Sequence, residues 1–296
     1  MVMRVLEPHQ FNSFKKPKTR DKRPFVRLAT VLVAGGLVFG TLHYLSSRPD
    51  SPSAKPAAKH APVTGVQAQS LNNRPFKKFT GEEFKNLYRT VAYPNVQPIH
   101  ETDAPSITGN PDADKIIRQI AESRGYHLGS IPVNAIVKIN EPRLDGDDLL
   151  QPLAASSWKS MKDQAHKDGY PLSIISAYRP PEYQRNLFTS RLYAKGTNPS
   201  YIAAGVSNNI IESTLDMTAP PGYSRHHTGY TIDLWCEDGS GAFLSSKCYK
   251  WISANNYQKA KENGWIPSYP EGTDMQGPEP EPWEYVWVGT DVLREN

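Results

Sequence analysis

Ser224-Arg225-His226-His227-Thr228-Gly229-Tyr230-Thr231-Ile232-Asp233 sets an imidazole and a carboxylate seven residues apart around a glycine. Imidazole nitrogen and carboxylate oxygen are two of the ligand types that Zn²⁺ takes, and a catalytic zinc site needs three protein ligands with one position left open. Gly229 permits the turn that brings His226 and Asp233 together, and Tyr230 to Leu234 reads as the strand carrying the second of them. A third ligand has to come from elsewhere in the chain. The place to look is Glu281-Pro282-Trp283-Glu284 near the C-terminus.

Around these motifs the pattern mixes helices and strands. Asp112 to Ser123 places Ile116, Ile117, Ile120 and Ala121 at helical spacing, with acidic residues in the first turn where the helix dipole favours them. Gly125 marks its stop. Leu153 to Lys167 repeats the pattern and ends before Gly169. Pro171 to Ala177 reads as a short buried strand, and Pro181 to Tyr193 as a helix with proline at its start, where a missing N–H costs least. Trp251 to Asn263 is a further helix closing on Gly264, and Tyr285 to Val288 a further strand. The expected class is α+β, a small antiparallel sheet flanked by helices.

Ser224-x-His226-x-x-Gly229-x-x-x-Asp233, preceded by Ser176-Ala177-Tyr178-Arg179 with Gln184 and followed by Glu281-Pro282-Trp283 and Gly289, resembles the D-alanyl-D-alanine carboxypeptidase family of the VanY type. The resemblance covers roughly residues 145 to 290, and the order and spacing of three motifs make it more specific than any one of them. It implies a zinc peptidase acting on the stem peptide of peptidoglycan, with His226 and Asp233 as metal ligands. Arg179 then holds the substrate's terminal carboxylate or the developing oxyanion, for which a forked guanidinium is apt. Gln184 supplies a second donor, Ser224 contacts the substrate or orients the loop, and Glu281 is the general base. Taken alone, Arg179 reads as an ion-pairing residue, Gln184 as a solvated helix residue and Glu281 as one more acid in a Glu-rich run. Tyr223 and Tyr230 read as cleft lining or packing, and Trp283 as packing beneath the metal. His227 reads as a neighbour that supports the site, as an exposed residue or as a substitute ligand.

One position departs from the family pattern, which ends Glu-x-Trp-His with the histidine as third zinc ligand; here it is Glu284, and the arginine that often follows is Val286. Two readings stand open. Glu284 completes a His-Asp-Glu site, harder and more negative than one with two imidazoles and more tolerant of Mn²⁺. Alternatively it points elsewhere, catalysis is lost, and the domain is a membrane-anchored module that binds peptidoglycan. On the first reading, a histidine at 284 is expected to bind zinc equally or more tightly.

The N-terminal region sets the expected compartment. Residues 1–27 hold eight basic and two acidic residues, a net of +6; removing them from 34 basic and 30 acidic leaves 26 against 28, or −2. No basic cluster remains to mark a nucleic-acid footprint. Residues 28–45 are uncharged and mostly apolar, about the minimum for a bilayer crossing. The basic side predicts a cytoplasmic N-terminus and an extracytoplasmic remainder. An uncleaved anchor fits better than a cleaved signal, because no Ala-x-Ala follows Leu45, and better than a buried core helix. Residues 46–80, rich in Pro, Ser and Ala, read as a linker, spacing or merely disordered; 81–296 is the peptidase-like domain. Cys236 and Cys248, an even count outside the membrane, support a disulfide, with metal ligation or two free thiols as the other readings.

Overall fold

The computed structural model describes residues 74–141, 148–270 and 279–295. Among them no helix is long and apolar enough to cross a membrane. The tail 1–27, the stretch 28–45 read as an anchor and most of the linker lie outside the described residues. Where the predicted linker is described, it packs rather than hangs free: Phe76 bridges to Arg294 and the Lys77 N–H donates to the Leu293 carbonyl.

In chain order the elements are α1 (Gly81–Thr90), β1 (Val96–Pro98), α2 (Pro111–Ser123), β2 (Ser130–Pro132), β3 (Val137–Lys138), β4 (Leu149–Leu150) and α3 (Pro152–Lys167). They continue with β5 (Leu172–Ser176), α4 (Pro181–Ala194), α5 (Pro199–Ala203), α6 (Asn208–Leu215), β6 (Thr231–Cys236), α7 (Lys247–Glu262), β7 (Trp265–Pro267) and β8 (Glu284–Trp287). The class is mixed α and β, with small antiparallel sheets as expected. Each predicted helix and strand is present within a few residues at the ends, except that the helix expected over Trp251 to Asn263 is interrupted: Ala254, Asn255, Asn256 and Tyr257 leave helical geometry, so α7 is two helical pieces meeting at a kink. Local chemistry explains the helix starts: Pro111, Pro152 and Pro181 occupy first-turn positions, and Asn110 accepts from the Asp112 and Ala113 N–H groups.

The principal sheet has the order β5-β6-β8-β7, antiparallel throughout. Its two faces differ, because side chains alternate along a strand. From β6, Ile232, Leu234 and Cys236 enter a core shared with Trp158 and Met161 of α3 and Ile252 of α7. Thr231, Asp233 and Trp235 face the other way and line a cavity of about 1000 Å³. The β5–β6 register slips between Ile174 and Ser176; such a bulge re-aims side chains beside a site, and Ile175 and Ser176 both line the cavity. Cys236 is disulfide-bonded to Cys248 with a Cα separation of 5.7 Å, fastening the end of β6 to the start of α7. A second core joins α2, α4, α5 and α6.

Candidate metal centre

The β6–β8 register pairs Asp233 directly with Glu284. Like charges directly opposite one another across two strands are destabilising, so this pair calls for a cation between or beside it. His226 supplies the third group from a short 3-10 turn, Arg225–Thr228, just before β6. Its Nε2 lies 3.4 Å from Asp233 Oδ1 and 3.4 Å from Glu284 Oε2. Among the described residues, His226, Asp233 and Glu284 form a cluster whose potential ligand atoms all lie within 4.8 Å of one another.

Two observations fit a metal here. The His226 Nδ1–H donates to the Ala177 carbonyl at 2.6 Å, which turns the Nε2 lone pair toward the carboxylates in the tautomer a ligand needs. Nε2 and Asp233 Oδ1 are both buried and make no hydrogen bond, an arrangement that is costly unless an ion or proton satisfies it. Burial and the Arg179 charge push the His226 pKa down, but Asp233 and Glu284 outweigh them and lift it to about 9. In the metal-free protein a proton therefore stands in the place of a cation, and metal binding has to displace it.

The turn is held on both sides. Ser224 Oγ accepts from the His226 N–H at 3.4 Å, and Gly229 takes φ 75°, its N–H returning to the His226 carbonyl. A Cβ at Gly229 would lie 3.3 Å from Gln151 Cγ and 3.4 Å from Gln151 N. Gly229→Ala is accordingly expected to destabilise the fold by about 1–2 kcal/mol and to weaken metal binding, which denaturant unfolding and zinc titration would check.

His227 is not a ligand. Its Nδ1–H donates to the Arg179 carbonyl at 2.6 Å and its Nε2 accepts from the Gly222 N–H at 3.0 Å. Burial, ahead of the Arg179 and His226 charges, lowers its pKa to about 4, so it is neutral. Since the Arg179 N–H also donates to the His226 carbonyl, the two histidines clip the Arg179 backbone beside the centre. The Arg179 guanidinium reaches within 3.9 Å of Asp233 Oδ2, and its Nε is buried without a hydrogen-bond partner.

Glu281 lines the same cavity. Burial first, then the charges of Glu284 and Asp233, push its pKa up to about 8 against Arg179 and His226. Burial also disfavours the charged form of Glu284, but Arg225 and His226 overcome this and hold that carboxyl well below the usual range. The adjacent acids of one motif are thereby driven apart, one toward holding a proton and one toward permanent charge, as an acid/base role beside a ligand role requires.

Gln184 is buried at the cavity wall, with acceptor capacity as well as the donor expected of it. Its Nε2 donates one hydrogen to the Ala219 carbonyl at 2.6 Å, which leaves its second N–H and a buried Oε1 that has no hydrogen-bond partner among the described residues. Ser224 lines the cavity and caps the histidine turn. Tyr223 also lines the cavity, anchored on Glu122 at 2.8 Å, while Tyr230 is core, stacked on Tyr93 and Trp287. Arg225 escaped the sequence reading, as the variable position of its motif. Its Nη1 donates to Glu284 Oε1 at 2.9 Å, and its guanidinium lies between the rings of Tyr88 and Tyr269. The available signal was an arginine inside one ligand motif and an acid where the other motif has an imidazole.

The family model described as VanY, D-alanyl-D-alanine carboxypeptidase, matches residues 147–290. YodJ of Bacillus subtilis (strain 168) is 31% identical over 151 residues, 48% of this chain and 49% of that one. The chain thus spans about half the length of that relative. A D-alanyl-D-alanine carboxypeptidase of Enterococcus faecalis (strain ATCC 700802 / V583) is 22% identical over 223 residues, 72% of this chain and 78% of the other. Among solved structures, a variant of the vancomycin-resistance D,D-pentapeptidase VanY in complex with Zn(II) is 22% identical with a TM-score of 0.40, covering 55% of this chain and 85% of that one.

Proposed function

We propose, from the premise that the chain belongs through residues 147–290 to the VanY-type D-alanyl-D-alanine carboxypeptidase family, that it hydrolyses a C-terminal D-alanyl-D-alanine or related peptide bond of the peptidoglycan stem peptide with a zinc ion held by His226, Asp233 and Glu284. The observation carrying this reading is the buried Nε2 of His226, unpartnered and aimed between two carboxylates that stand opposite one another on β6 and β8. Zinc bound there supplies Lewis acidity, polarising the scissile carbonyl and lowering the pKa of the attacking water.

The remaining work falls to the chain's own residues. Glu281 takes a proton from the attacking water and passes it to the leaving amine. Arg179, its backbone clipped by both histidines, presents a guanidinium that fits a terminal carboxylate. Gln184 Oε1 accepts from a peptide N–H of the substrate, and Ser224 keeps the histidine turn in place. The measurement that decides the reading is metal content of the purified protein together with D-alanine release from a peptide ending in D-Ala-D-Ala, with and without a chelator. A protein that takes up no divalent metal near neutral pH would instead be a peptidoglycan-binding module.

The basic residues of 1–27 followed by the apolar stretch 28–45 support a single-pass anchor that holds this domain outside the membrane. A soluble form beginning after about residue 45 would count against the anchor.

A further inference from the structure

The three clustered side chains bring two carboxylate charges to a metal, and the group that offsets one of them comes from outside the ligand set. Only 10% of the Arg225 side chain is exposed, against 4% for Glu284. The guanidinium is fixed on its faces by Tyr88 at 4.7 Å and Tyr269 at 4.3 Å from the ring centroids, a cation–π arrangement that is strongest where water is excluded. It divides the Glu284 carboxylate. Oε1 accepts from Arg225 Nη1 at 2.9 Å, and Oε2 is left to face His226 Nε2 at 3.4 Å. Tyr88 belongs to α1, ahead of the matched region 147–290, so the N-terminal part of the domain reaches into the centre through this arginine.

We propose that Arg225 is a positioning residue for the metal centre. It restricts Glu284 to one coordinating oxygen and cancels one carboxylate charge, so that Glu284 and Arg225 act together as a single neutral donor. This rests on the reading that His226, Asp233 and Glu284 hold a metal. With Arg225 counted, the set of one imidazole and two carboxylates carries −1, the charge of two imidazoles and one carboxylate. The consequence reverses the expectation that a histidine at 284 improves zinc binding: Glu284→His alone takes the Glu284 carboxylate away from the Arg225 guanidinium and leaves that charge beside the ion, where two like charges a few ångströms apart repel strongly. Ligand and counter-charge have to be exchanged together.

The test is a double-mutant cycle in zinc affinity, read by chelator competition on the purified full chain: wild type, Glu284→His, Arg225→Met and the double variant. Glu284→His is expected to weaken zinc binding by about tenfold or more, and the double variant to return to within about twofold of wild type. Arg225→Met alone frees both Glu284 oxygens, and its preference for zinc over Mn²⁺ is expected to fall by about tenfold, since hard oxygen donors favour manganese. Loss of packing alone would not move that preference. If Glu284→His does not fold by circular dichroism, Glu284→Gln takes its place, and Glu284→Gln with Arg225→Met has to bind zinc more tightly than Glu284→Gln alone. Additive effects of the two substitutions, or a Glu284→His variant that binds zinc as tightly as wild type, would overturn the pairing. Those results differ from a wild type that binds no zinc, which removes the metal reading itself and this inference with it.

Discussion

Glu281→Gln is expected to leave zinc bound and to lower D-alanine release by about two to four orders of magnitude, the contribution of a positioned general base. The amide keeps the shape of the side chain but cannot accept and pass on a proton. Glu281 stands outside the three-residue cluster that would hold the ion, so its substitution removes no ligand. The fold should not suffer either. Burial and two neighbouring carboxylates already push the Glu281 pKa up to about 8, so an uncharged amide relieves crowding rather than creating it. The sign of the pH effect follows from the same environment: Glu281 serves as a base only when deprotonated, so activity falls as pH drops through its pKa, which a bound cation would bring below 8. The residual activity of Glu281→Gln should lack that acidic limb. Zinc stoichiometry by elemental analysis and a pH series of turnover read both parts. Unchanged turnover with zinc bound would reduce Glu281 to one acid of a Glu-rich run.

Much of this cluster could be read from the chain because its candidate ligands lie in short, ordered motifs. His226, Gly229 and Asp233 sit within one turn and one strand, and the period-2 alternation of β6 assigns Asp233 to the face opposite Ile232 and Leu234. What could not be read depends on contacts between distant segments. The sequence leaves the orientation of Gln184 open, and the Ala219 carbonyl 35 residues away fixes its amide by taking one Nε2 hydrogen. Motif register favoured His226 over His227, but what His227 does instead, spending its two nitrogens on Arg179 and Gly222, was visible only in the structure. The pairing of Arg225 with Glu284 spans 59 residues. Elements such as β1, β2 and β7 are three residues each, too short for periodicity to register. α1 did carry a legible signal, Thr80 and Glu83 at capping-box spacing, and both reciprocal hydrogen bonds are present.

Arg179→Lys is expected to cost about two to three orders of magnitude in kcat/KM, the scale of losing a well-placed donor to a developing or resident anion, with the fold intact. Lysine keeps the charge near Asp233, so the 3.9 Å contact between Arg179 Nη2 and Asp233 Oδ2 retains its electrostatic part. What disappears is the planar fork, which grips a carboxylate through two parallel hydrogen bonds where an ammonium offers a point charge. The environment favours the fork. The Arg179 backbone is held by the His226 carbonyl and the His227 Nδ1–H, and its buried Nε has no hydrogen-bond partner among the described residues. A purely structural arginine would spend that donor on the fold. The loss should therefore depend on the substrate: large for a peptide with a free C-terminal carboxylate, and small for the same peptide amidated at its C-terminus, which wild type should itself cleave poorly. Comparing kcat/KM for the two peptides in both proteins separates the roles. Near-normal turnover of the free peptide by Arg179→Lys would make Arg179 an ion-pair partner of Asp233 that takes no part in holding the substrate.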